Sequence, residues 1–259
     1  MVPLYFGSSA RRLFGIYTPG HGEARAAVLC PPWGQEYISA HRSMRRLAVM
    51  LNSEGYHVLT FDYFGTGDSS GEMIDATLEG WRSDIDVAIE ELRDMSGSSN
   101  VTLVGLRLGA TLGADVADRH AEVRRLVLWD PIVLGSAWLE ELQESDAQEL
   151  GPPRTGGRRR SQRRGNQELL GFRLTQTMEQ EIGRIDLVAR LASLRMPAHI
   201  VTTATLPSYK ALASTQSSNV RLRHLEAVHA WRLDAEFNAA VPVNVLENIV
   251  RGLGEVEDG

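Results

Sequence analysis

An α/β fold, with a mostly parallel central sheet flanked by helices and an inserted helical cap, is what this sequence predicts. Three observations carry that reading. Short runs of β-branched and aromatic residues alternate with longer amphipathic stretches, the pattern of a sheet with helices on both faces. Two strand ends run into glycine-rich turns, at 65–71 and 105–109. The alternation breaks at about 135–195 and then resumes, which reads as a cap inserted into a single domain spanning 1–259.

Taken in order, segments 2–6 and 12–18 alternate around G-S-S and read as a hairpin at a sheet edge. Segment 25–30 (R-A-A-V-L-C) reads as a buried strand ended by Pro31 and Pro32, and a helix is expected from about 39 to 54, stopped by Gly55. A strand at 56–62 (Y-H-V-L-T-F-D) follows, then the turn F-G-T-G-D, and then a helix at 81–95 with the apolar stripe Ile85, Ala88, Ile89 and Leu92. Strand 101–104, helix 108–119 and strand 125–129 complete the first run. Beyond the cap, which shows no obvious strand, come strand 198–203, helix 207–215, strand 220–224 and helix 242–253. Within the cap, 152–165 (P-P-R-T-G-G-R-R-R-S-Q-R-R-G) sets Arg158, Arg159, Arg160, Arg163 and Arg164 among structure breakers and reads as a mobile basic loop. Such a loop could meet an acidic protein partner or nucleic acid. Lacking any aromatic side chain for base stacking, it reads first as solvated surface.

Composition narrows the function classes. Lys+Arg of 27 against Asp+Glu of 33 leaves a net charge of −6, which argues against nucleic acid or an anionic membrane as partner. The single cysteine, Cys30, excludes an intramolecular disulfide and a cysteine-built zinc site, and suits a reducing cytoplasm. The start M-V-P-L-Y-F-G lacks the basic and apolar parts of a signal peptide, and no apolar run approaches the ~20 residues of a membrane span. A cytoplasmic protein is expected. His21, His41, His57, His120, His199 and His224 show no metal-ligand spacing, so neither metal nor cofactor is expected.

In V-T-L-V-G-L-R-L-G-A (101–110), a strand turns into a helix through G-x-x-x-G, the spacing of a nucleophile elbow. With strand 56–62, the G-x-G-D-S turn at 65–69 and His229 in the last loop, the chain resembles the α/β-hydrolase superfamily, serine-aminopeptidase-like members included, over nearly its whole length. More narrowly, C-P-P-W-G-Q-E (30–36), G-L-R-L-G-A (105–110) and L-W-D-P-I (128–132) look like the hydrolase-like proteins that accompany exosortase systems in bacteria. The resemblance implies a nucleophile at position 107, a histidine at 229, an acid after the strand at 198–203 or at Asp130, and oxyanion donors in the backbone N–H groups of Trp33 and Leu108. It also implies that Asp68 braces the G-D-S-S-G turn.

The chain departs from that pattern at the centre. Position 107 holds arginine, whose guanidinium stays protonated and can neither attack a carbonyl nor relay a proton. The first acid position reads A-T-L-P (204–207), without a carboxylate. What remains is His229, with Asp130 as its candidate partner; the alternative is that Asp130 caps the turn at Pro131 while His229 packs beside Trp231. Such a carboxylate is expected to favour the imidazolium and hold one tautomer. Arg107, a cation at a helix N-terminus, needs an anion: Glu36 or Asp130 from within, or a ligand carboxylate or phosphate from outside.

The reading is an atypical α/β-hydrolase-fold protein without the nucleophilic serine. It binds a small anionic or acylated ligand through Arg107 and Glu36, with His229, Asp130 and Arg107 available for non-covalent acid/base or water-activation chemistry. The alternatives are a catalytically silent pseudoenzyme acting as a binding module, and a thioesterase-like hydrolase of carrier-bound acyl groups.

Overall fold

The computed structural model describes residues 1–22, 25–150, 166–215, 217–232 and 240–254. The arginine-rich segment 152–165 lies outside the described residues. Strands β1 (Val2–Ser8) and β2 (Arg11–Thr18) form the expected antiparallel hairpin. The apolar run before the two prolines becomes β3 (Ala26–Cys30), buried at every position as a strand covered on both faces requires.

Helix α1 (Gln35–Ser53) begins earlier than its sequence suggested. Gly34 at φ 68° turns the chain straight into the helix, and Ser39, the expected first residue, lies inside it with its hydroxyl donating to the Gln35 carbonyl at 3.0 Å. The early start matters for the site, because it puts Glu36 in the first helical turn, where a carboxylate is favoured by the helix dipole.

Strand β4 (His57–Phe61) leads through the glycine turn to α2 (Leu78–Ser96), capped by the Thr77 hydroxyl, which accepts from the Gly80 N–H. The turn is braced by Asp62 and not by Asp68: Asp62 accepts from the Asp68 N–H at 3.0 Å and from the Tyr37 hydroxyl at 2.7 Å. Then come β5 (Val101–Leu106), α3 (Leu108–Val116) and β6 (Val123–Trp129). The insertion contains α4 (Gly135–Leu150), β7 (Asn166–Leu169), β8 (Phe172–Thr175), α5 (Gln176–Gly183) and α6 (Leu187–Ala192). The β7–β8 hairpin went unseen in the sequence because its strands are four residues each and turn through Leu170-Gly171, both at positive φ.

The chain closes with β9 (Ala198–Thr202), a 3-10 segment at Pro207–Thr215 where an ordinary helix was expected, β10 (Val220–His224) and α7 (Val243–Gly254). The eight-stranded sheet runs β1-β2-β4-β3-β5-β6-β9-β10, and β2 alone opposes the other strands. The carboxyl ends of β3, β5, β6 and β9 therefore lie side by side, and the insertion leaves the chain at that same end, directly after β6. Among the described residues no helix is long and apolar enough to cross a membrane.

Candidate functional site

Between β5 and α3 stands one residue, Arg107, at φ 52° and ψ −120°. For a side chain other than glycine such a backbone costs about 1–3 kcal/mol and must be imposed by its surroundings. Close packing imposes it. A Cβ on Gly105 would stand 2.3 Å from the Ala110 Cα, and one on Gly109 would stand 2.3 Å from the Cys30 and Pro31 carbonyl oxygens. The Arg107 N–H donates to the Trp129 carbonyl at 3.0 Å, fixing the elbow to β6.

The guanidinium is 1% exposed. Its Nε donates to Glu36 Oε1 at 2.8 Å and its Nη2 to Glu141 Oε2 at 3.0 Å, while its Cζ lies 3.9 Å from the centre of the Trp231 ring. Of the two internal anions expected for Arg107, Glu36 is the one found; Asp130 is not bonded to it. Glu141, on α4 of the insertion, is a second partner that the sequence reading missed. Its signal was faint: Trp138 and Glu141 are three apart on one helical face, and the Trp138 indole donates at 3.2 Å to the same Glu36 oxygen that Arg107 holds. The other Glu141 oxygen accepts from Arg232, whose guanidinium lies 4.5 Å from the Trp231 ring centre. Two guanidiniums thus bracket Glu141 and share one indole.

Burial works against the Arg107 charge, but the Glu36 and Glu141 carboxylates outweigh it and hold the guanidinium protonated. At Glu36 burial wins, and its carboxyl sits above the ordinary range despite Arg107. Glu36 Oε2 is buried with no hydrogen-bond partner among the described residues.

Asp130 follows β6 at φ 43° and is fully buried. Its Oδ1 accepts from the Thr203 N–H at 2.7 Å and the Tyr209 hydroxyl at 3.3 Å; its Oδ2 accepts from the Thr203 hydroxyl at 2.5 Å and the Trp231 indole at 3.0 Å. The expected direct Asp130–His229 pair is absent among these bonds. Instead His229 Nδ1 lies 3.1 Å from Thr203 Oγ1. A threonine hydroxyl has one hydrogen, and here it goes to the carboxylate. Its lone pair must then accept a proton held on Nδ1, so Nε2 is left bare. Thr203 carries no signal in the sequence: it stands at the end of the expected strand 198–203, before the acid position at 204–207, and a hydroxyl there looks like any other threonine.

His229 also stacks on Trp231, with ring centroids 5.4 Å apart and an interplanar angle of 23°. Burial lowers its affinity for a proton; Asp130 opposes this, and Arg232 and Arg107 reinforce it. Asp130 does favour the imidazolium, as expected, but desolvation and two nearby cations outweigh it and the net shift is downward.

Leu108 opens α3, so its N–H has no intrahelical acceptor. Trp33 lies in the turn between β3 and α1, the turn against which Gly109 packs. Its ring meets Trp138 and Phe172 of the insertion edge-on, with centroids 6.1 Å away in each case, and its Nε1 donates to Met73 Sδ at 3.4 Å. Among the described residues no group of three His, Cys, Asp or Glu side chains could hold a metal ion. A charged clamp and an oriented imidazole therefore share the carboxyl end of the sheet, with Trp231 touching both.

Comparison with known proteins places the fold. The family described as alpha/beta hydrolase fold matches residues 28–227. Among solved structures, the ferulic-acid-bound Est1E of Butyrivibrio proteoclasticus is 15% identical, covers 98% of this chain and 97% of its own, and superposes with a TM-score of 0.68. Mouse alpha/beta hydrolase domain-containing protein 10 is 15% identical over 100% of this chain and 99% of its own, with a TM-score of 0.63. A Pyrococcus furiosus esterase is 16% identical over 98% of this chain and 88% of its own, with a TM-score of 0.66. At such identities the likeness concerns the fold. A search of curated protein sequences returns no match.

Proposed function

This chain belongs to the alpha/beta hydrolase fold family, which it matches over residues 28–227, and on that premise we propose that it performs non-covalent acid/base chemistry on a small anionic or acylated molecule, with His229 as the base. The observation that carries this reading is the chain of contacts Asp130–Thr203–His229; with the threonine proton given to the carboxylate, a neutral ring keeps its proton on Nδ1 and offers Nε2 as acceptor. A bare, partly buried imidazole nitrogen can take a proton from water or from a carbon beside a carbonyl. Neither reaction needs a nucleophile at position 107.

Arg107 and Arg232 already hold an anion, the Glu141 carboxylate. A ligand carboxylate that replaces Glu141 would be gripped by the same two guanidiniums, beside the imidazole that shares Trp231 with them. Glu36 keeps Arg107 in place throughout, and the Trp33 and Leu108 N–H groups would receive a developing oxyanion. In the same reading 1–259 is one cytoplasmic domain with the insertion at about 135–195 as its cap. The three motifs that look like those of exosortase-associated hydrolase-like proteins are part of the same reading.

The test is turnover of short-chain p-nitrophenyl esters and acyl thioesters, the latter being the thioesterase-like variant of the reading. Turnover should be lost in His229→Ala and raised in Glu141→Gln, and mass spectrometry should find no acyl-enzyme. Turnover indifferent to His229→Ala contradicts the reading. A second reading, a silent binding module, is favoured by one observation: Arg107 is fully engaged by Glu36, Glu141 and Trp231. It predicts that an anionic ligand or partner binds and is never converted.

A further inference from the structure

A second concave site lies at the opposite end of the sheet. A cleft of about 490 Å³ opens between the amino ends of β6, β9 and β10 and the last turns of α7. Strand register explains its lining. Arg221 sits beside His199 and Arg223 beside Val201, while Val127 of β6 also sits beside His199. Registered neighbours face the same way, and so do residues two apart, so Arg125, His199, Arg221 and Arg223 share one face. Helix α7 covers that face: a Cβ on Gly252 would stand 2.8 Å from His199 Nδ1. Arg251 and Asn248, three apart on the helix, line the cleft from above.

Among the described residues four arginines therefore line one cleft, and no aspartate or glutamate is among its lining, in a chain whose net charge is −6. Arg125 donates to the Leu253 carbonyl and ties α7 to β6. Among the described residues, Arg221, Arg223 and Arg251 have no acidic partner. Asn248 is buried, and its Oδ1 has no hydrogen-bond partner among the described residues. A buried acceptor without a donor is a costly arrangement unless something fills it.

We propose that this cleft is a binding site for a phosphorylated small molecule. Its phosphate is held by Arg221, Arg223 and Arg251, whose guanidinium forks match phosphate oxygens, and a ligand hydroxyl donates to Asn248 Oδ1. The volume falls within the usual ~300–1,000 Å³ of small-molecule sites. The site is separate from the one around Arg107: Trp129, at the far end of β6 beside Asp130, lies four positions beyond Arg125, roughly 13 Å at ~3.3 Å per residue. It stands independently of the chemistry proposed for His229.

The experiment is isothermal titration of the full chain with ribose 5-phosphate, and separately with inorganic phosphate, at low salt. Ribose 5-phosphate should bind and inorganic phosphate should compete with it. The Arg221→Ala/Arg223→Ala pair, both exposed on an edge strand, should weaken binding by about tenfold or more. Arg251→Ala on α7 should weaken it independently, which keeps the test decisive if the strand variant misfolds. Asn248→Leu should weaken ribose 5-phosphate more than inorganic phosphate. No binding of either probe at millimolar concentration, or binding untouched by the arginine substitutions, overturns the proposal. Binding that emerges only in Glu255→Gln/Glu257→Gln/Asp258→Asn would assign the cleft to the chain's own acidic segment 255–259 and also overturn it.

Discussion

Arg107→Ala should destabilise the protein far more than the loss of one surface charge. The substitution strands Glu36, a buried carboxylate whose Oε1 keeps only the Trp138 indole and whose Oε2 has no partner among the described residues. Removing one member of a buried ion pair costs about 3–5 kcal/mol. Glu141, 22% exposed and still held by Arg232, adds little to that. At ~2–4 °C per kcal/mol for a chain of this size, the melting temperature should fall by about 6–20 °C. The loss should also depend on pH in a fixed direction. Without Arg107 the Glu36 carboxyl rises still further above its unfolded value, because burial then acts unopposed by its chief counter-charge. A group raised in the folded state supports folding fully below its unfolded pKa and loses that support as pH climbs through the folded one. The deficit should accordingly be smaller near pH ~4, around the ordinary glutamate value, than at neutral pH. Urea unfolding followed by tryptophan fluorescence at both pH values measures it, and Arg107→Leu/Glu36→Leu should recover most of the loss. A deficit under ~1 kcal/mol, or one equal at both pH values, would refute the ion-pair reasoning.

Thr203→Val keeps the shape of the linker and deletes the hydroxyl between Asp130 and His229; turnover should fall by at least about tenfold while the protein stays folded by circular dichroism, and unchanged turnover would contradict the relay. Gly109→Ala drives a methyl against the Cys30 and Pro31 carbonyl oxygens, each 2.3 Å from the new carbon. Thermal denaturation should show a loss of ~1–3 kcal/mol or more, and a wild-type melting temperature would mean that the elbow has room to spare. Arg107→Ser restores a hydroxyl at the elbow but leaves Glu36 buried and unpaired, and its histidine is braced by a threonine. Its p-nitrophenyl acetate hydrolysis should remain within about tenfold of the parent; a gain of several powers of ten, approaching the ~10⁶ that a triad nucleophile is worth, would show that the rest of the triad had survived intact.

What the sequence revealed was set by local covalent constraint. Gly105 and Gly109 announce the elbow because no larger residue tolerates those contacts, and the alternation of apolar runs with amphipathic stretches announces the sheet and its helices. His229 was legible by its place after the last strand. Glu141 was not, because it meets Arg107 across the fold, from a helix whose pattern says nothing about what it faces. Thr203 was hidden by chemistry: a hydroxyl that passes a carboxylate's influence to an imidazole leaves the same trace in a sequence as any other strand threonine. The start of α1 slipped because Gly34, at positive φ, begins the helix before the serine at which it was expected to start. The basic cleft arises from register between β6, β9 and β10, a relation that no single stretch of sequence contains.

His229 as an oriented base is tested most directly by nitrogen-15 NMR of its imidazole across a pH titration of the free protein, with His229→Ala identifying the signal. The predicted result is a neutral ring with its proton on Nδ1 and a bare Nε2, titrating below the ordinary histidine value of about 6.5, since burial outweighs the pull of Asp130. A proton on Nε2, or a titration above that value, would contradict it.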